Sequence, residues 1–233
     1  RDLCDVFDLE VAFYDPGIIH FGLENAVIPV GDTFLEVVSP VQDKTTAGRY
    51  LERRNGNGGY MVIVQTDDLE REKSRVESEG IGIVWNADRE EEGIHAKAIH
   101  LHPRDVGGAI LSIDSMEPSE AWLWASPTWE ENVRTETSNY LNGVHIQSKD
   151  PESMMKSWET ALGLQAVFKD NEFQIILEET RVVFVEDKDG RGEGIQSFEI
   201  NVKDQHKVLK KAKDKGLLQE DNIVIGGVKF LLN

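Results

Sequence analysis

Alternating apolar and polar residues predict strands that flank a small number of amphipathic helices. The segment YMVIVQTDDLEREKSRVESEGIGIVW starts as an alternating strand, breaks at Asp67 and Asp68, and continues as a charged helix that ends at Gly80. The segment GVHIQSKDPESMMKSWETALGLQAVF follows the same order, with Asp150 as the predicted helix N-cap and Pro151 in the first turn. Both segments therefore predict a strand, a helix and a further strand.

Two more copies of this pattern flank those segments. SFEINVKDQHKVLKKAKDKGLLQ repeats it near the C-terminus, and the helix pattern DLCDVFDL begins an N-terminal copy whose first strand is expected to precede Arg1. Strand-like runs separated by turn residues follow each helix; in the first copy they are EVAFYDPG, HFGLENAVIPV and DTFLEVVSP. The last copy is abbreviated. The chain is thus predicted to be an α+β protein of four βαβββ modules.

The longest irregular stretch, residues 118–138, predicts a linker between two domains. It contains Pro118 and Pro127, and its length is unusual for a loop inside a compact domain. The predicted domains are therefore residues 1–117 and residues 139–233. The three tryptophans of the linker favour packing onto a domain face over stacking on a ligand, because such large side chains usually serve burial.

Charge and cysteine content narrow the classes of partner. The 233 residues include 43 acidic and 25 basic side chains, and the formal charge of -18 argues against nucleic acid and anionic membrane surfaces as partners. Cys4 is the single cysteine, so an intrachain disulfide is excluded and a reducing cytoplasm is the expected location. The apolar runs are too short to span a bilayer.

Glu36 interrupts the apolar run of GDTFLEVVSP and raises the question of what its carboxylate does. In an extended strand it shares one face with Phe34 and Val38, while Leu35 and Val37 take the other. An ionised carboxylate in a packed core is costly unless it is paired or neutralised. Glu36 therefore predicts either a satisfied core group or a functional residue in a pocket.

Histidines and arginines supply further candidates. His100 and His102 in IHLHP share a strand face, and His102 is the preferred pocket residue because the turn PRDVGG, with Arg104, follows it. His20 in GIIHFGLENAV is a comparable candidate in the first module. Arg49 lies on a predicted short helix and suits a carboxylate or phosphate of a substrate, although pairing with the surplus of acidic side chains is the more ordinary role.

Paired βαβββ modules with FLEVVSP closing the first and LHPRDVGGAILSID closing the second resemble the vicinal oxygen chelate superfamily. This superfamily comprises the glyoxalases, epimerases, extradiol dioxygenases and bleomycin-resistance proteins. The turn HPRDVGG is similar to the segment before the last strand of methylmalonyl-CoA epimerases. The resemblance implies that paired modules form cup-shaped sheets and that side chains of the first and last strands hold a divalent metal in each cup.

Carried over residue by residue, the resemblance places Glu36 at the last-strand metal-ligand position of the first module. The matching positions of the second module are Met61 and Ser112, and a thioether is a poor ligand for a hard divalent cation. Gly143 and Ser197 stand at the first-strand positions of the third and fourth modules. We therefore expect Met61 and Ser112 to line a substrate cup, and neither cup to hold a metal on four side chains.

His145 and Glu199 occupy equivalent places in the third and fourth modules, two residues beyond those first-strand positions. Modules related by a pseudo-twofold axis would bring the two side chains together. Such a pair can form a charge-assisted hydrogen bond or hold a metal weakly. A satisfied core pair is the simpler interpretation, because buried polar groups normally find partners.

Two functions follow from the resemblance. The first is an isomerase, lyase or dioxygenase that binds a small organic molecule in the N-terminal cup, with Glu36 and His102 as catalytic residues and a divalent metal as a candidate cofactor. The second is a non-catalytic binding protein of the bleomycin-resistance type. Glu36 favours the first function, whereas Met61 and Ser112 favour the second or a metal-free enzyme. A homodimer is a candidate assembly.

Overall fold

The computed structural model describes all 233 residues as a mixture of strands and a few helices. The helices are α1 (Asp2–Phe7), α2 (Thr46–Arg54), α3 (Leu69–Ser78), α4 (Pro103–Val106), α5 (Pro151–Leu162) and α6 (Gln205–Asp214). The strands are β1 (Leu23–Val30), β2 (Thr33–Pro40), β3 (Met61–Gln65), β4 (Ile83–Glu91), β5 (Ile94–Leu101), β6 (Ile110–Glu117), β7 (Ser138–Ser148), β8 (Val167–Lys169), β9 (Glu172–Leu177), β10 (Thr180–Glu186), β11 (Gly194–Val202), β12 (Leu218–Gln219), β13 (Asn222–Ile225) and β14 (Val228–Leu232). No helix is both long and apolar enough to cross a membrane.

The predicted module repeats in the strand order. The second module has the order β3-β6-β5-β4, the third β7-β10-β9-β8 and the fourth β11-β14-β13-β12. In the second and fourth modules the first strand runs parallel to the last one, and the remaining neighbours are antiparallel. A parallel neighbour requires a crossover connection, which α3 and α6 provide. The α+β architecture of repeated βαβββ modules is confirmed.

The first module departs from the prediction at residues 10–17. This segment was expected to be a strand, yet it makes only an isolated bridge between Phe13 and Val27. The strand is cut short because the backbone N–H of Asp15 donates to the side chain of Asn25, and Pro16 then begins a short 3-10 helix. Only β1 and β2 form a regular antiparallel pair in this module.

Two compact units account for the packing. The first contains residues 1–58, 124–144 and 196–233, and the second contains residues 59–123 and 145–195. Each unit therefore draws on both halves of the chain. The sequential division into residues 1–117, a linker at 118–138 and residues 139–233 describes the repeated modules and stays a prediction.

Aspartates begin three of the helices, as the sequence predicts. Asp68, Asp150 and Asp204 each accept a hydrogen bond from the backbone N–H three residues later. This bond satisfies one of the N–H groups that the first turn of a helix leaves without a partner. The helices therefore start at positions that local sequence alone specifies.

Helices α1 and α6 cover one face of the sheets in the first unit. Their apolar side chains meet residues of β1, β2 and β11 in a core that includes Phe7, Ile28, Leu35, Ile200 and Val208. Leu35 is 5% exposed, so the side of β2 that carries it faces this core. Glu36, the next residue, points to the other side of the strand.

Candidate functional site

Glu36 lies in β2, opposite Val27 of β1, on the face of the pair that is turned away from the helices. The residue is exposed to solvent, whereas Leu35 before it is buried. The strand alternation anticipated from the sequence therefore holds. Glu36 is not part of the core that α1 and α6 cover.

Asn25 orients the Glu36 carboxylate. Its Nδ2 donates to Glu36 Oε1 at 2.7 Å, and its Oδ1 accepts the backbone N–H of Asp15 at 2.8 Å. Because the amide oxygen is held by Asp15, the amide nitrogen is directed at Glu36. Asn25 is only 8% exposed, so this arrangement is rigid. Glu36 Oε2 makes no hydrogen bond within the protein and is left for a ligand.

The protein environment shifts the equilibrium of the Glu36 carboxyl group toward its protonated form, relative to the same group in water. Burial of the carboxyl group raises the pKa of Glu36, the hydrogen bond from Asn25 lowers it, the nearby Asp15 carboxylate raises it again, and the net pKa is above the usual value. The residue is nevertheless exposed. Solvent therefore reaches the carboxylate even though protein atoms crowd around it.

Apolar side chains surround the carboxylate on its own face of the pair. Val27 and Pro29 are buried there, and the ring of Phe34 meets Trp129 edge to face with centroids 4.9 Å apart and planes at 74°. Such an arrangement is a favourable one for aromatic pairs. Trp129 thus has the packing role expected for the linker tryptophans, and it supports the ring of Phe34 on the strand face that also carries Glu36.

Two other residues of the first unit do not hydrogen-bond to Glu36. His20 lies in the short helix Pro16–Phe21, is exposed, and packs edge to face on Phe21. Arg49 donates to the carbonyl oxygen of Lys44 at 2.6 Å and to Thr46 Oγ1 at 3.0 Å, close to the start of its own helix. Their assignment as substrate-binding residues stays a prediction.

His102 has a structural task that its sequence position does not reveal. Its Nδ1 accepts the backbone N–H of Arg104 at 3.1 Å, which makes it the N-cap of α4. Arg104 itself is exposed in that short helix. A capping imidazole is held in one orientation by its helix, and a catalytic role for His102 stays a prediction.

Ser112 and Met61 lie in the second unit, on neighbouring strands. Ser112 is fully buried, and its hydroxyl donates to Asp114 and lies 3.3 Å from the carbonyl oxygen of Ile99. Met61 is half-buried and pairs with Ile110. Asp114 was missed in the sequence because it follows Ser112 by two residues in an apolar strand and no motif marks it.

His100 was passed over in favour of His102, yet it has the more unusual environment. Its ring packs on Trp85 with centroids 4.3 Å apart. Burial lowers the pKa of His100 to about 4, so the imidazole is neutral near pH 7. The alternation of IHLHP, which puts His100 opposite Ser112, was the available signal.

Glu199 and His145 are both buried, at 2% and 7% exposure, and they belong to different units. Within its unit, Glu199 Oε2 accepts hydrogen bonds from the side-chain amides of Asn142 and Asn233, each at 3.2 Å. This supports the interpretation of Glu199 as a satisfied buried group. Its pairing with His145, and a metal held by the two, stay predictions.

The residues present do not suit the divalent metal that the resemblance implies. Met61 offers a thioether, Gly143 offers no side chain, and the Ser112 hydroxyl is engaged by Asp114 and Ile99. Across the whole chain, no three His, Cys, Asp or Glu side chains are grouped so that they could hold a metal ion. Glu36 alone provides a suitable hard ligand at the expected positions.

Comparison with known proteins places these features in a family context. Residues 16–162 match a family described as a glyoxalase-like domain. A hypothetical protein from Staphylococcus aureus has a TM-score of 0.68 at 14% identity, with 98% of this chain and 90% of that one covered. A mutant of 4-hydroxymandelate synthase from Streptomyces coelicolor has a TM-score of 0.65 at 15% identity, with 92% of this chain and 70% of that one covered. At these identities the likeness concerns the fold alone. No curated protein sequence matches the chain.

Proposed function

Because the chain belongs to the glyoxalase-like domain family, within the vicinal oxygen chelate superfamily, we propose that it binds a small organic molecule at Glu36 and uses that carboxylate as a general base. The reaction class is proton abstraction next to a carbonyl group, as in an isomerase or a lyase. One observation carries the proposal: Glu36 is accessible, one of its oxygens is held by Asn25 and the other is open.

The chemistry follows from this geometry. A C–H group next to a carbonyl would lie against Glu36 Oε2, which takes the proton. The C–H electron pair becomes the C=C bond and the π pair of the carbonyl moves to oxygen, so that an enolate forms beside the now neutral Glu36 acid. Asn25 keeps the carboxylate in position because its donation to Oε1 remains possible before and after proton transfer. The neutral acid then returns the proton to carbon. A base works best when its pKa approaches the operating pH, and the raised pKa of Glu36 is a step in that direction.

Exchange of an acidic C–H proton tests the base directly. In D2O, acetophenone provides a neutral ketone whose methyl protons exchange after abstraction, and NMR follows their loss. We expect exchange that depends on the protein and that falls by about 100-fold or more in Glu36→Gln, as loss of a general base usually gives. Glu24→Gln is the matched control, because Glu24 is an exposed glutamate of the neighbouring strand. Equal exchange by wild type and Glu36→Gln would remove the base from the proposal.

A non-catalytic binding protein of the bleomycin-resistance type is the second candidate. The observation that favours it is that Met61 and Ser112 of the second unit stand where ligands of a metal are expected, while the first unit carries the Phe34–Trp129 aromatic pair near Glu36 in the strand. Binding of acetophenone without any exchange would support this candidate. In both cases His20 and Arg49 are proposed as further ligand contacts of the first unit, and His102 and Arg104 as functional residues of the second unit. A homodimer in the cytoplasm is the proposed setting.

A further inference from the structure

The groups around Glu36 carry negative charge that no basic side chain offsets. Asp15 is the one charged group that shifts the pKa of the Glu36 carboxyl, and it has the same sign and raises that pKa. Arg49 does not offset these charges at Glu36, because its guanidinium donates to the Lys44 carbonyl oxygen and to Thr46 Oγ1 and has no effect on the pKa of the Glu36 carboxyl. The formal charge of -18 on the whole chain adds to the negative potential.

The remainder of the Glu36 face is apolar. Val27 and Pro29 come from β1, and the half-buried ring of Phe34, supported from the side by Trp129, adds an aromatic surface. The polar groups at hand, the Asn25 amide and the Asp15 backbone N–H, are already bonded to each other or to Glu36. Neither of these two groups is free to hold the oxygens of a carboxylate or a phosphate, which normally require arginine, lysine or free N–H groups.

We propose that the site at Glu36 selects a neutral or cationic molecule with a flat apolar ring and discriminates against carboxylates and phosphates. This inference rests on the proposed function, since it names the class of molecule that the same site takes. A cation would gain from the unpaired Oε2 of Glu36, and a ring would gain from contact with Phe34. An anion would meet the carboxylates of Glu36 and Asp15, and its repulsion from them opposes binding.

Three probes that share one ring and differ in charge test this selection. Benzylamine is cationic at neutral pH, benzyl alcohol is neutral and benzoate is anionic. Titrations followed by protein NMR or calorimetry, at matched ionic strength, give their relative affinities. We expect the order benzylamine, benzyl alcohol, benzoate, with about tenfold or more between the first and the last, which is the size that one close charge pair near a surface produces.

Variants of Glu36 separate the site from the general charge of the protein. Glu36→Gln should reduce the spread between benzylamine and benzoate to about threefold or less, whereas Glu36→Asp keeps the charge and should preserve the order. Asp15→Asn removes the second carboxylate, and an asparagine can still cap the short helix that follows. It should weaken the preference for benzylamine without reversing it.

Several results would overturn the inference. Benzoate binding as tightly as benzyl alcohol would do so, as would an unchanged order in Glu36→Gln, because charge selection would then come from elsewhere. If none of the three probes binds, the proposal that the site takes a flat apolar ring is wrong. The acetophenone experiment tests the general base separately from charge selection. If the probes bind in the expected order but acetophenone does not exchange, this inference stands and Glu36 is not a general base. If acetophenone exchanges but benzoate binds best, Glu36 is a general base and this inference is wrong.

Discussion

The guanidinium of Arg75 lies over Gly163, so that a Cβ atom at residue 163 would stand 2.9 Å from Arg75 Nε. Arg75 reaches this position from α3 because its two terminal nitrogens donate to the carbonyl oxygens of Thr160 and Ala161, each at 2.6 Å. These carbonyls belong to the end of α5, where backbone acceptors lack partners within the helix. Gly163 thus supplies both a φ of 66° and the space that Arg75 occupies.

Gly163→Ala should destabilise the protein by about 2 kcal/mol, roughly half from the left-handed backbone and the rest from displacing Arg75. Gly80→Ala is the matched control, since Gly80 follows α3 at a φ of 77° and a Cβ atom there would meet no other atom within 4 Å. It should cost only about 1 kcal/mol. Urea unfolding measures both, and in an Arg75→Ala background the two costs should become similar. If Gly163→Ala and Gly80→Ala destabilise the wild-type protein equally, the contact between Arg75 and residue 163 does not affect stability.

Asp8 links α1 to α6 and should make stability depend on pH at the acid end. Partial burial raises the pKa of Asp8, but hydrogen bonds from Lys207, Lys211 and Thr137 outweigh it and hold the pKa well below the usual range. The stabilisation is therefore present above about pH 4, the ordinary aspartate value, and is lost as the pH falls below it.

Asp8→Asn should lower the free energy of unfolding by about 1 kcal/mol at pH 7, a modest figure because the cluster is partly exposed to solvent. The difference from wild type should shrink as the pH is lowered toward the pKa of Asp8, since the wild-type carboxylate then becomes protonated. Asp43→Asn, an exposed aspartate without an ion pair, provides the control. A constant difference between Asp8→Asn and wild type at every pH would show that the carboxylate charge is not the cause.

Glu36→Gln should leave the melting temperature equal or raise it. The raised pKa means that the folded protein penalises the ionised form, so any stability associated with protonated Glu36 is lost as the pH rises through the folded pKa. Glutamine keeps the shape, removes that pH dependence and retains an oxygen for the amide of Asn25. Thermal unfolding at neutral pH measures the effect. A loss of about 3 to 5 kcal/mol with ligand binding intact would instead make Glu36 a structural ion.

Elemental analysis of untagged protein should find no tightly held metal at one equivalent per chain. The physical reason is the donor set: a thioether at Met61, an engaged hydroxyl at Ser112 and no side chain at Gly143 are unsuitable for a hard divalent cation. Addition of EDTA should accordingly leave acetophenone exchange unchanged. One equivalent of bound transition metal, or activity lost with EDTA and restored by metal, would contradict this prediction.

Local features of the sequence were sufficient for the modules. The aspartate caps at 68, 150 and 204 act on N–H groups three residues away, so each helix start is specified within one turn. The face of β2 that carries Glu36 follows from the twofold alternation of a strand, which depends on no distant residue.

Roles that depend on partners distant in sequence were beyond prediction. Nothing in the sequence indicates that Asn25 joins Asp15 to Glu36, since the contacts span ten and eleven residues and require the register of β1 on β2. The sequence also does not indicate that the Arg49 side chain folds back to hydrogen-bond near the start of its own helix, since an arginine extended toward a ligand would have the same sequence pattern. His102 was chosen for its place at a strand end, where it serves instead as the cap of α4.

The sequence by itself determined the repeated modules, the starts of their helices and the side of β2 on which Glu36 lies, because each of these depends on residues within one turn or one strand. The tertiary structure alone decided which distant groups act at this place: Asn25 bonds to the Glu36 carboxylate, Asp15 acts on it through its charge, and Trp129 packs on the neighbouring Phe34. The physical reason is that hydrogen bonds and charges act over a few ångströms in space. Their effect on a pKa or a ligand is set only when folding brings distant residues together.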